Sequence, residues 1–125
     1  MKKVILRILA ITVLVLITVS FVNAYTGTAK LSWTPPTTFT DGSVLIPVTD
    51  LKGFNIYTGT QPGVYEAPIF VTGGTTTTYT MTIGTGTTYF ALSVVGINDL
   101  ESVKSAEVSK TVIAPSPSRC SLIVQ

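Results

Sequence analysis

Past residue 24, short segments of the chain alternate between apolar and polar residues, which is the period of a strand with one buried side. In the first segment Ala29, Leu31 and Trp33 lie on one side, and Lys30 and Ser32 lie on the other. No segment past residue 24 keeps apolar residues at helical spacing over three turns, so the pattern predicts strands. The further alternating sets are Phe54 and Ile56; Tyr79, Met81 and Ile83; Phe90, Leu92 and Val94; and Ala106, Val108 and Val112.

Turn residues separate these segments at intervals of about 8–12 residues, a spacing typical of a β-sandwich. A short edge strand is predicted over residues 68–72, and threonine, which is β-branched and favours strands, supplies 20 of the 101 residues past residue 24. We therefore expect an all-β sandwich over residues 25–113. The turn signals are Pro35-Pro36, Asp41-Gly42, Gln61-Pro62-Gly63, Gly73-Gly74, Gly84-Thr85-Gly86 and Asn98-Asp99.

The first 24 residues have the pattern of a secretory signal peptide. A basic start with Lys2, Lys3 and Arg7 precedes an apolar run over residues 8–22, and Val22-Asn23-Ala24 offers a cleavage site after Ala24. The alternative is an uncleaved anchor helix, but 15 residues fall short of the roughly 18–20 that span a bilayer. We expect an exported protein, periplasmic, on the cell surface or extracellular, that meets the membrane only through this segment.

The composition of the chain excludes several kinds of partner and catalytic site. The net charge of +2 comes from eight basic and six acidic residues, but only five basic residues remain past Ala24, so nucleic acid is not an expected partner. The chain has no histidine and one cysteine, which excludes Ser-His-Asp and Cys-His sites and a CxxC motif. The high mean hydropathy, +0.53, is concentrated in residues 1–24.

Six segments carry a family resemblance: residues 31–36 (LSWTPP), 40–43 (TDGS), 50–60 (DLKGFNIYTGT), 89–94 (YFALSV), 101–102 (ES) and 105–109 (SAEVS). Together they resemble the fibronectin type III domains of exported bacterial proteins. The resemblance covers residues 28–113 and implies an immunoglobulin-like sandwich with Greek-key connections. It implies Trp33 in strand B, Phe54 and Ile56 in strand C, and Phe90, Leu92 and Val94 in strand F.

The chain departs from that family in three places. Only residues 25–28 precede strand B, so strand A is reduced and leaves a bare sheet edge. Residues 43–49 are longer than usual, and the loop before strand F is short. Tyr89 has the spacing of the family's tyrosine corner, but alternation with Phe90 points it outward, and we follow the alternation. We expect a strand-like segment, from the tail 119–125 or from a partner, to cover the bare edge.

The candidate residues divide into a core and an outer surface. Tyr57, Tyr65 and Tyr89 are the candidate surface-binding residues, as a platform for sugar rings or, in the reading we favour, as cross-strand pairs that stabilise the sheet. Cys120 is either an inert tail residue or one half of a disulfide to a second chain. The expected core is Trp33, Phe54, Ile56, Tyr79, Ile83, Phe90, Leu92 and Val94.

The acidic residues do not form a recognisable site. Asp41 and Asp50 suit turn capping, and Asp99 with Glu101 offers two carboxylates where calcium needs six to eight oxygens. No nucleophile motif surrounds Lys104-Ser105, so we expect no enzyme, no metal and no cofactor.

We expect a non-catalytic exported module for protein interaction, adhesion or structure. Its partner would be a protein or a surface polysaccharide of unknown identity. The alternatives are a carbohydrate-binding accessory domain of a secreted system and a surface subunit that self-associates through the bare edge or Cys120. Residues 114–125 form a Pro/Ser linker with Pro115 and Pro117, followed by a short tail.

Overall fold

A computed structural model describes residues 25–116 of the chain. The predicted signal peptide and the tail with Cys120 lie outside the described residues. Among residues 25–116, no helix is long and apolar enough to cross a membrane. The elements are β1 (Thr26–Ser32), a one-turn helix α1 (Pro47–Asp50), β2 (Leu51–Gly59), β3 (Ile69–Thr72), β4 (Thr78–Gly84), β5 (Gly86–Gly96) and β6 (Val108–Val112).

The strands form two antiparallel sheets of unequal size. One contains β1 and β4, and the other has the order β3-β2-β5-β6. In the larger sheet Phe54 lies opposite Val94, and Ile56 lies opposite Leu92, so the expected inward residues of β2 and β5 share one face. The prediction of an all-β fold with two antiparallel sheets is confirmed.

The buried apolar residues form two clusters, and the first of them joins the two sheets. The first joins Ala29 of β1 and Ile83 of β4 to Phe90 of β5, and the second joins Leu45 and Leu51 to Phe54. Phe54 is 0% exposed and Ile56 is 1% exposed. Of the other expected core residues, Ile83 and Phe90 are buried, and Trp33, Tyr79, Leu92 and Val94 are half-buried.

Three local features differ from the sequence expectation. β1 ends at Ser32 rather than including Trp33, because Pro35-Pro36 follows and only the Trp33 amide still donates across, to the Thr77 carbonyl at 2.9 Å. β6 begins at Val108, which leaves Ala106 exposed before it. The helix α1 was not predicted.

The helix α1 forms without an amphipathic pattern because its ends are held locally. Pro47 lies in its first turn, where the fixed φ of proline suits a helix start. The Asp50 carboxylate accepts a hydrogen bond from the Ile46 amide at 2.7 Å, which satisfies a free donor at that end. The segment of residues 43–49 also brings Leu45, which is 6% exposed, into the core.

Replacement of Phe54 should measure how much the fold depends on the inter-sheet core. Phe54→Ala removes a fully buried ring and should lower the free energy of unfolding by about 3–5 kcal/mol, measured by urea denaturation. The matched control is Phe39→Ala, in a loop and 44% exposed, which should cost below about 1 kcal/mol. Equal losses for the two variants would contradict the assignment of Phe54 to the core.

Candidate interaction site

The outer edge of β1 is unpaired over the part of the chain that the structure describes. β1 bonds β4 along one side, from Thr26 opposite Gly84 to Ser32 opposite Thr78. No described strand lies along its other side. A free edge presents backbone N–H and C=O groups that pair readily with a further strand. The family resemblance led us to expect a bare sheet edge at this position.

An apolar cleft of about 240 Å³ opens beside this edge, between the two sheets. Its walls come from β1 and the residue after it, from β5, and from the segment that leads into β6. The lining is mostly apolar, so an uncovered cleft exposes core surface to water. The main lining residues are Leu31, Trp33, Phe90, Leu92, Ala106 and Val108.

Trp33 is held in the wall of the cleft with an unsatisfied donor. Its ring packs on Phe54, with centroids 5.3 Å apart and planes tilted by 55°. Its indole Nε1 is buried and has no hydrogen-bond partner among residues 25–116. A buried donor without a partner costs about 1–3 kcal/mol, so this indole nitrogen lowers the stability of the fold.

The opposite wall is a non-strand segment, residues 101–107, tied to β5 by two serines. The Ser102 amide donates to the Val94 carbonyl at 2.9 Å, and the Val94 amide donates to the Ser102 hydroxyl at 2.9 Å. Ser105 repeats this exchange with Leu92 at 2.7 and 3.0 Å. The hydroxyls stand where the carbonyls of a strand would stand, so β5 is satisfied although the segment is not a regular strand.

The tyrosines face away from the cleft, on the outer side of the larger sheet. The Tyr57 hydroxyl donates to Glu101, and the Tyr65 hydroxyl donates to Glu107. Their rings lie 6.0 Å apart and are tilted by 59°. The structure therefore brings Tyr57 and Tyr65 together and uses their hydroxyls to hold both ends of residues 101–107.

Tyr89 occupies the same outer side but joins no ring contact among the described residues. It lies opposite Gly59 in β2 and Ser109 in β6, and it is half-buried. Its register places it on the face opposite Phe90, as the alternation predicts, because adjacent residues of a strand point to opposite faces.

Lys104 and Glu107 were not predicted as surface-site residues. Lys104 Nζ lies 4.3 Å from the centre of the Tyr57 ring, a cation–π contact. The Glu107 carboxylate also accepts a hydrogen bond from the Gly63 amide at 2.8 Å, and this bond fixes the turn before Tyr65. The available sequence signal was the spacing of Glu101, Lys104 and Glu107, three residues apart in a segment next to a predicted strand.

The remaining acids make local contacts. The Asp41 carboxylate accepts a hydrogen bond from the Ser43 amide at 2.9 Å in a turn. Hydrogen bonding from Ser43 holds the pKa of the Asp41 carboxyl below its ordinary value. Asp99 pairs with Lys52 at 2.5 Å.

Among residues 25–116, no three acidic or cysteine side chains are grouped closely enough to hold a metal ion. The Ser105 hydroxyl donates to the Ala106 carbonyl, and Lys104 lies over Tyr57, so the two side chains are engaged separately.

The tyrosine–glutamate pairs shift the pKa of each partner. The Ser93 hydroxyl, followed by the Tyr57 hydroxyl, donates to Glu101 and holds the pKa of Glu101 below its ordinary 4.5. The Glu101 carboxylate raises the pKa of Tyr57 above its ordinary 10.0. In the same way Glu107 raises the pKa of Tyr65, and Tyr65 lowers that of Glu107.

Comparisons with known proteins return no relatives for this chain. No family model matches it, and neither the curated proteins nor the solved structures contain a match.

The two serine exchanges should contribute separately to stability. Ser102→Ala and Ser105→Ala each leave one β5 amide unpaired and should each lower the free energy of unfolding by about 1 kcal/mol, measured by urea denaturation. Ser109→Ala is the control, because this exposed β6 hydroxyl has no hydrogen bond among the described residues. The serine assignment is wrong if all three variants unfold at the same urea concentration.

The tyrosine–glutamate pair should give a pH-dependent stability between two limits. Glu101, with a lowered pKa, stabilises the fold above pH 4.5, and this is lost as the pH falls through the lowered value. Tyr57, with a raised pKa, stabilises it below pH 10.0, and this is lost as the pH rises through the raised value. Glu101→Gln should return the Tyr57 pKa towards 10.0 in a spectroscopic tyrosine titration and leave Tyr65 unchanged. A Tyr57 pKa unmoved by Glu101→Gln would rule out this pairing.

Proposed function

We propose that this chain is an exported, non-catalytic interaction module that binds an extended segment of a partner protein as an additional strand along β1. The observation that carries the proposal is the unpaired β1 edge beside an apolar cleft. Strand addition uses backbone hydrogen bonds for affinity and alternate side-chain pockets for selectivity, and this edge offers both. Residues 1–24 support export, since they carry the pattern of a signal peptide.

The proposal includes a fibronectin type III type of sandwich with a reduced strand A. The sheet orders β1-β4 and β3-β2-β5-β6 support it, because they leave unfilled a strand position next to β1. In this assignment Trp33 follows strand B, Phe54 and Ile56 belong to strand C, and Phe90 belongs to strand F.

Carbohydrate binding by the tyrosines is less well supported. A sugar ring stacks on a free aromatic face, but Lys104 covers one face of Tyr57, and the rings of Tyr57 and Tyr65 are not coplanar. Both hydroxyls are already donated to glutamates. This arrangement fits a structural role on the outer side of the sheet.

A non-catalytic role agrees with the chemistry of the chain. It lacks histidine, and the carboxylates of Asp41, Asp50 and Glu101 are engaged in hydrogen bonds within the fold. The cleft is lined mainly by apolar side chains, which suits binding rather than bond cleavage.

Blocking the cleft should abolish partner binding. Ala106→Trp fills the cleft from its exposed wall, whereas Ser109→Trp places the same ring on the outer face of β6, opposite Tyr89. Each variant is immobilised and incubated with envelope and secreted fractions of the source cells, and the captured proteins are identified by mass spectrometry. The Ala106→Trp variant should no longer capture the partner, whereas the Ser109→Trp variant should still capture it. Capture of the same partner by both variants would place binding elsewhere.

A further inference from the structure

The pairing of β1 with β4 determines which backbone groups face the free edge. The Trp33 amide donates to the Thr77 carbonyl at 2.9 Å, so the position after β1 bonds towards β4. In an antiparallel pair, residues that exchange hydrogen bonds alternate with residues that do not. Leu31 shares the parity of Trp33 and therefore also bonds towards β4. Thr28 and Lys30 have the other parity, so their N–H and C=O groups point to the free side.

The two ends of this edge are closed to different extents. At the start of β1, a Cβ atom at Gly27 would lie 2.6 Å from Val112 Cγ2, so Val112 packs directly on this glycine. At the far end, Leu31 and Trp33 line the open cleft. A twofold axis between two antiparallel β1 strands places the start of each strand against the end of the other. Each copy then brings its closed end to the open cleft of the other.

The sequence of β1 favours one register for such a pairing. With Ala29 opposite Ala29 of a second copy, all seven residues of β1 gain a partner in β1. Thr28 then lies opposite Lys30 of the second copy, and the two residues can exchange both hydrogen bonds of an antiparallel pair. A centre at Lys30 would place two like charges directly opposite each other, which is destabilising. A centre at Thr28 would leave Leu31 and Ser32 without a partner in β1.

The same register brings an exposed tyrosine to the cleft. Tyr25 directly precedes β1, is 50% exposed and shares the parity of Trp33. One residue past β1, the register places Tyr25 of one copy opposite Trp33 of the other. This position exchanges no backbone hydrogen bonds, and side chains approach most closely at such positions. Aromatic cross-strand pairs stabilise antiparallel strands, and the twofold axis produces this pair twice.

The charges beside the edge are compatible with this pairing. Lys30 is exposed on the outer face of β1, opposite the uncharged Thr28 of the second copy. Lys110 shares the parity of Val108, which lines the cleft, and is itself exposed. The long stem of a lysine can lie along apolar surface while its ammonium group stays in water. The pairing therefore requires no buried charge.

We propose that a second copy of this chain is the partner of the β1 edge, through twofold antiparallel pairing centred on Ala29, with Tyr25 of each copy in the cleft of the other. The inference rests on the proposed function, because it uses strand addition along β1 and names the partner. The two small sheets join into one with the order β4-β1-β1-β4. A twofold contact uses the same surface on both copies, so this edge produces a closed dimer and not a fibre.

Disulfide cross-linking tests the register in the full chain. Two forms with different tags are produced together in the source cells, and both carry Cys120→Ser so that only introduced cysteines react. Thr28→Cys in one form and Lys30→Cys in the other place two cysteines about 5.5 Å apart at Cα, within the range of a disulfide. This mixed pair should form at least about tenfold more disulfide dimer than either variant alone, because like positions lie diagonally, roughly 7–8 Å apart.

The matched control replaces Lys30→Cys with Ser109→Cys, on the outer face of β6. Together with Thr28→Cys it should form no more disulfide dimer than Thr28→Cys alone. Predominant cross-linking of Thr28→Cys with itself, or of Lys30→Cys with itself, would overturn the register centred on Ala29. Absence of disulfide dimer in every combination, or equal yields with Ser109→Cys, would overturn a second copy as the partner.

Removal of Tyr25 tests the contact in the cleft. Trp33 is the one tryptophan of the chain, so its fluorescence reports on the wall of the cleft. Tyr25→Ala should shift Trp33 emission to longer wavelength and lower the disulfide yield of the mixed pair at least about twofold. Phe39→Ala, which removes a loop ring that is 44% exposed, should change neither. Equal effects of the two variants, or no effect of Tyr25→Ala, would exclude Tyr25 from the cleft.

The capture experiment separates failure of this inference from failure of the proposed function. The protein captured through the cleft should be this chain itself. If Ala106→Trp abolishes capture of a different protein and no disulfide dimer forms, strand addition stands and the second copy is overturned as the partner. If Ala106→Trp leaves capture unchanged and no disulfide dimer forms, both proposals are overturned.

Discussion

The organisation of this protein follows from a mismatch between its sheets: two strands pack against four. The pair β1-β4 is too narrow to cover the apolar face of the larger sheet, whose central residues include Phe54, Ile56 and Phe90. Exposed apolar area costs roughly 25 cal/mol per Å², so each uncovered side has to be closed by something other than a strand of the smaller sheet. On one side Leu45 and Leu51, before and after α1, close the core. On the other side the cleft beside Trp33 stays open within the described residues.

The open side is bounded by a wall that depends on side-chain hydrogen bonds. Residues 101–107 leave regular strand geometry, and Ser102 and Ser105 replace the missing backbone pairing with β5. Tyr57 and Tyr65 hold the ends of the same segment through Glu101 and Glu107. The outer tyrosines and the cleft are thus parts of one arrangement, since the glutamates that bind the tyrosines belong to the segment that forms the wall of the cleft.

Much of the fold was accessible from the sequence, because period-2 alternation depends only on neighbouring residues. The strands containing Phe54 and Phe90 followed from it, whereas the bare sheet edge was expected from the family resemblance and not from periodicity. The helix α1 did not, since its stability comes from Pro47 and the Asp50 side chain rather than from an apolar face. The pairs Tyr57–Glu101 and Tyr65–Glu107 join residues 44 and 42 positions apart, and such contacts depend on the register of β2 against β5, which local patterns do not determine.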